Sequence, residues 1–185
     1  NGELESFSKD PQWDARGNKR EYTTNVVRPR FDFGYSSTRH AGGKDSGEMG
    51  GVVYRGDGRY PHMMAYYGDR LDEMDLTKPL RASGKIAMRR AVTDSDNLLG
   101  FFHATHSLES GGSDRIGMPP DFFGMSIGGP SREGFMVYPS YRLHNTELGS
   151  AYEGAPYLHP DGKSHDFTIE WTPAADGSGT LAVTL

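Results

Sequence analysis

From Ser164 to Thr172 the chain reads Ser-His-Asp-Phe-Thr-Ile-Glu-Trp-Thr, so Phe167, Ile169 and Trp171 alternate with Thr168, Glu170 and Thr172. A period of two sends successive side chains to opposite faces of an extended backbone, which predicts a half-buried strand. After Pro-Ala-Ala-Asp-Gly-Ser-Gly the alternation resumes: Leu181, Val183 and Leu185 against Thr180, Ala182 and Thr184. The two runs and their turn-rich connection predict a β-hairpin. The same criterion predicts strands over 31–35, 50–55, 63–67, 83–92, 98–104, 122–128 and 134–143. Thr93-Asp94-Ser95-Asp96-Asn97 reads as a turn joining 83–92 to 98–104 in a second hairpin. Residues 105–120 and 144–163 read as loops, the first long enough to edge a binding site. Residues 1–30 are polar, with Trp13, Tyr22, Val26 and Val27 as anchors, and predict a segment that wraps the surface of a domain spanning 31–185.

Composition supports this pattern. Glycine accounts for 25 of 185 residues and proline for 11, which favours many short strands and tight turns over helices. About ten strands at short spacing predict an all-β, two-sheet antiparallel sandwich or jelly roll. The net charge of −5 and the lack of an isolated basic run argue against nucleic acid as a partner. No apolar run reaches the roughly 18 residues of a membrane span, so no membrane partner is expected. The absence of cysteine excludes thiolate catalysis and disulfide staples.

The strand-and-turn wording of Ser164 to Leu185, a histidine and an aromatic followed by Ile-Glu-Trp-Thr-Pro, resembles the penultimate strands of concanavalin-like jelly rolls, above all glucanases of the laminarinase and lichenase type. A wider set of short motifs is similar to uncharacterised environmental bacterial proteins of that class: Asp10-Pro-x-Trp13-Asp14, Asp32-Phe-Gly-Tyr-Ser36, His40-Ala-Gly-Gly43, Gly47-Glu-x-Gly-Gly51, Tyr66-Tyr67 and Pro130-Ser-Arg-Glu-Gly-Phe135. The resemblance implies a concanavalin-like jelly roll, a secreted or periplasmic location, and a carbohydrate polymer bound on the concave sheet. It also implies one or more further strands after Leu185.

The glucanase chemistry itself is missing. Those enzymes carry a Glu-x-Asp-x-x-Glu run on one strand, because retaining hydrolysis needs two carboxyls about 5–5.5 Å apart. Here the corresponding strand is Asp121-Phe-Phe-Gly-Met-Ser-Ile-Gly-Gly129, with no acid beyond its first residue. Glu73-Met-Asp75-Leu-Thr-Lys78 is a near miss in a charged connection.

Three readings remain. A carbohydrate-binding protein needs flat aromatic faces and hydrogen-bonding groups, which Tyr66, Tyr67, Tyr138 and Tyr141 together with Arg55, Arg89 and Arg142 can supply. A polysaccharide lyase, a chemistry also found on this fold, would use His103 or Tyr138 as base and Arg55 or Arg142 as clamp for a uronate carboxylate. The Gln-Ile-His and Tyr-Phe-Lys-Ala-Gly runs of alginate lyases are absent. A non-catalytic structural protein would self-associate through exposed strand edges. No metal site is expected: His103 and His106, three apart in an extended chain, face opposite ways. Asp94, Asp96 and Asn97 could offer oxygens to calcium, the one candidate cofactor, yet a turn explains them without an ion. Glu48, between glycines at the start of a strand, is the remaining acid of interest.

Overall fold

The computed structural model describes residues 3–21, 30–54, 63–93, 95–109, 118–129, 134–143 and 147–185. Among them the chain is all-β, with antiparallel sheets and one helical turn. Arg55, Asp94, Val26 and Val27 lie outside the described residues.

The predicted C-terminal hairpin forms as β12 (Ser164–Pro173) and β13 (Gly179–Thr184), with Ile169 opposite Val183 and Trp171 opposite Leu181. Its other edge is taken by β6 (Leu80–Ala87), which places Ala82 beside Ile169 and Ile86 beside His165. The second sheet runs β10 (Glu147–Ser150), β9 (Phe135–Leu143), β8 (Phe122–Gly129), β7 (Ser95–Phe102), with β11 (Tyr157–Leu158) also on β9. The alternation of β12 puts Ile169 and Phe167 on the same side as Val183 and Leu181, and this side packs on Met125, Ile127, Phe135, Val137 and Leu158. Two antiparallel sheets thus share one apolar layer, a sandwich-like arrangement. Trp171 closes one end, edge-on to Phe123 at 5.2 Å, with its indole N–H donating to the Leu76 carbonyl at 2.8 Å. It is a packing residue, as its place in the alternation predicts.

A third sheet, β2 (Lys19–Glu21), β3 (Arg30–Ser36) and β4 (Glu48–Val52), and a ribbon of β1 (Asp14–Arg16) with β5 (Tyr66–Gly68) complete the described elements. Gly47 has a positive φ of 128°, and a Cβ built there would lie 1.7 Å from the Phe7 carbonyl oxygen. Only glycine lets the N-terminal segment cross at that point.

Several expectations from the sequence are corrected. β6 and β7 are not a hairpin: β6 pairs with β12 and β7 with β8, so the chain changes sheets between them. Asp96 and Asn97 are strand residues of β7, not turn residues. The strand predicted to reach 55 ends at Val52, and the one expected over 63–67 is confined to Tyr66–Gly68. Residues 144–163 carry β10 and β11, which are too short to show periodicity. The chain also leaves β7 at Phe102 and turns into α1 (His106–Glu109), so 103–106 is not extended.

Candidate functional site

The register of the second sheet sets out two chemically distinct faces. Asp96, Gly128, Met136 and Tyr157 lie in one row across β7, β8, β9 and β11. Leu98, Ser126 and Tyr138 form the next row, Gly100, Gly124, Ser140 and Ser150 the third, and Phe102, Phe122, Arg142 and Leu148 the last. All of these point away from the apolar layer, because Leu99, Met125, Ile127 and Val137 occupy the alternate positions.

This outer face differs along its length. At the Phe102 end Tyr66 packs on the Phe102 ring with centroids 5.0 Å apart, and Gly68 lies against the same ring, so β5 covers it. Arg142 is only 4% exposed there and donates from a guanidinium nitrogen to the Met118 carbonyl at 2.8 Å. In the middle, Gly100 and Gly124 bring the backbones of β7 and β8 together: a Cβ on Gly124 would sit 2.4 Å from the Leu99 carbonyl oxygen. Ser126 and Ser140 share a buried hydroxyl–hydroxyl bond of 2.7 Å.

The Asp96 end is open. Asp96 is exposed, Tyr138 is half-buried, and Tyr152 and Tyr157 are 60% and 47% exposed. Tyr138 and Tyr152 meet edge to face with centroids 6.1 Å apart. Gly128 lies between β7 and β9 so that a Cβ on it would be 2.7 Å from an Asp96 carboxylate oxygen and 3.0 Å from the Tyr138 hydroxyl. The missing side chain lets both groups lean over one strand. Burial pushes the Tyr138 phenol up, and the Asp96 charge adds to that, against a smaller opposing contribution from Ser126. The phenol therefore stays protonated, able to donate and accept.

Other predicted residues are dispersed. Tyr67 lies on β5 under Trp13, with ring centroids 5.6 Å apart, and against Gly34 of β3. Its hydroxyl is buried, and burial first, then the Asp10 charge, raises its pKa. Tyr141 faces the apolar layer, its ring 6.4 Å from Phe123, on the opposite side of β9 from Tyr138. Arg89 lies beyond β6 and meets the His40 Nε2 at 2.8 Å. Glu48 is a loop clamp: its carboxylate accepts from Thr38 Oγ1 at 2.5 Å, the His40 amide at 2.9 Å and the Ala41 amide at 2.8 Å. Desolvation raises its pKa, but these hydrogen bonds outweigh it and the net shift is downward.

His103 lies where β7 ends, with a neighbourhood that sequence periodicity does not reveal. Its Nδ1 accepts from the amides of Thr105 and His106 at 3.3 and 3.1 Å, and its ring stacks on that of His106, centroids 4.0 Å apart. His106 Nδ1 bonds Asp121 Oδ2 at 3.1 Å. Ser107, 2% exposed, donates to the Pro120 carbonyl at 2.6 Å and accepts from the His103 amide at 3.1 Å. Tyr138 stands four residues from Arg142 along β9, roughly 13 Å, so this base and this clamp expected from the sequence are not adjacent. Among the described residues no three His, Asp or Glu side chains gather as a metal would require. A shallow depression of about 300 Å³ between Leu76–Thr77 and the β12–β13 turn contains none of these residues.

No family model matches the chain, and neither the curated proteins nor the solved structures contain a match to it. No helix among the described residues is long and apolar enough to cross a membrane.

Proposed function

We propose that this protein is a carbohydrate-binding domain of concanavalin-like jelly-roll type, exported by its cell, which holds a polysaccharide against the open end of the β7–β10 sheet. The observation that carries this reading is the pair Asp96 and Tyr138 leaning over Gly128, with Tyr152 against Tyr138 and Tyr157 in the same row as Gly128 on the far side of β9. Sugar rings bind by laying their C–H faces on aromatic rings while hydroxyls bond to planar polar groups at the edge. Three partly exposed phenols supply the faces, and the Asp96 carboxylate beside a protonated Tyr138 hydroxyl supplies an acceptor and a donor.

Binding is favoured over the uronate-lyase reading by the state of Arg142, which is buried and bonded to the Met118 carbonyl, four residues along β9 from Tyr138. The structural-protein reading has no specific observation in its favour. Affinity electrophoresis against neutral and uronate polysaccharides tests the assignment, with absorbance of unsaturated products followed in parallel. Retardation by at least one polymer without product is expected. Retardation by none overturns the binding reading, and new unsaturation overturns the preference for binding over elimination.

A further inference from the structure

We propose that His103, His106 and Asp121 form a second, hydrolytic site that cleaves exposed carboxylic esters of small acyl groups, independently of the phenol-lined face. The argument rests on which ring nitrogen carries the proton. Asp121 Oδ2 can only accept, so His106 holds its proton on Nδ1 and presents the Nε2 lone pair, the arrangement of a carboxylate-oriented general base. His103 is the converse. Its Nδ1 accepts two backbone amides, so its proton is on Nε2. Two imidazoles, near-parallel and 4.0 Å apart, are thus locked in opposite tautomers. Neither Nε2 has a hydrogen-bond partner among the described residues, and His106 is 54% exposed.

The site is braced from beneath. Ser107 ties the start of this turn to the Pro120 and Asp121 carbonyls, and Asp121 is held at φ 53°, a left-handed conformation that non-glycine residues seldom adopt. Because Ser107 is buried and its proton is committed to Pro120, it is not a nucleophile. Water fills that role. His106 Nε2 takes a proton from water as its oxygen attacks the ester carbonyl. The neutral His103 Nε2–H donates to the oxyanion as it forms, and Asp121 stabilises the His106 imidazolium. The tetrahedral intermediate then expels the alkoxide, which takes the proton back from His106, leaving acid and alcohol. A neutral imidazole N–H is a hydrogen-bond donor and a weak acid, which suits carbonyl chemistry better than protonation of a glycosidic oxygen. His106 and His103 touch the substrate; Asp121 is a positioning residue.

The test is hydrolysis of p-nitrophenyl acetate by the intact protein, compared with free imidazole at the same concentration. The expected result is a rate at least tenfold above imidazole, reduced to background in His106→Gln and about tenfold in His103→Ala. A rate equal to imidazole, or one unchanged in His106→Gln, overturns the site. A burst of nitrophenolate equal to the protein concentration overturns the water mechanism in favour of an acyl-imidazole. Nitrogen NMR provides a readout that does not depend on turnover: His103 protonated at Nε2 and His106 at Nδ1 are expected, with His106 shifting toward the Nε2–H form in Asp121→Asn. The same tautomer on both rings overturns the proposal.

Discussion

The inner and outer faces of the β7–β10 sheet come from the same strands and differ in composition. Met125, Ile127 and Val137 face inward with Phe135 and Leu158, none more than 4% exposed, while the outer positions of β8 and β9 are Phe122, Gly124, Ser126, Gly128, Met136, Tyr138, Ser140 and Arg142. A strand buried on both faces in a simple scaffold would carry apolar residues at every position. β8 is buried along its whole length, yet half of its residues are glycine or serine. The difference separates a face of large apolar side chains from one where glycine, serine and tyrosine interrupt them.

The largest effect should come from the inner face. Phe135→Ala removes a ring that fills the centre of the apolar layer and should cost about 3–5 kcal/mol, read as the shift in a urea or thermal unfolding midpoint. A shift under 1 kcal/mol would break the distinction between faces. Gly124→Val is the matching test on the outer face: its Cβ would meet the Leu99 carbonyl, and the expected loss of about 2–3 kcal/mol exceeds what strand propensity alone would predict. Next comes Glu48→Gln, which weakens the clamp on Thr38, His40 and Ala41 and should cost about 1–2 kcal/mol at neutral pH. Because the folded-state pKa of Glu48 is lowered, its contribution is present above the unfolded value and is lost as pH falls through the folded value. The wild-type advantage over Glu48→Gln should therefore shrink in acid. Smallest is Tyr138→Phe, expected to change stability by under 1 kcal/mol at neutral pH. Its raised phenol pKa stabilises the fold below the unfolded value near 10 and gives that up as pH rises further, so the variant should lose less stability in alkali than wild type.

The inner face was readable in the sequence because burial on one side of a strand imposes a period of two. Phe167, Ile169 and Trp171 identify the β12–β13 hairpin from the sequence alone, and the strands at 31–35, 122–128 and 134–143 were legible for the same reason. The outer face was less legible. Tyr138 stands out in the sequence, but Asp96 reaches it across β8 from β7, Tyr152 from the loop after β10, and Tyr157 lies on β11, all brought to this end of the sheet by non-local pairing. The exchange of partners between β6 and β7 was hidden because a turn-like Asp-Ser-Asp-Asn sequence favours a local hairpin, whereas pairing to β12 some 80 residues away wins through the apolar layer. The His103–His106 contact was hidden for a related reason: the spacing means opposite faces in a strand and stacked rings in a tight turn. The clue available was the Gly, Ser and Pro content downstream, which marks the end of the strand.

The most direct measurement of the central claim is a titration of the protein with the polysaccharide that retards it, following the ring signals of its tyrosines by NMR. The account predicts that Tyr138, Tyr152 and Tyr157 shift together with a single affinity while Tyr67 and Tyr141 do not move, and that Tyr138→Ala weakens binding at least tenfold without lowering the melting temperature by more than a few degrees. Shifts confined to Tyr67 or Tyr141, or undiminished binding by Tyr138→Ala, would contradict it.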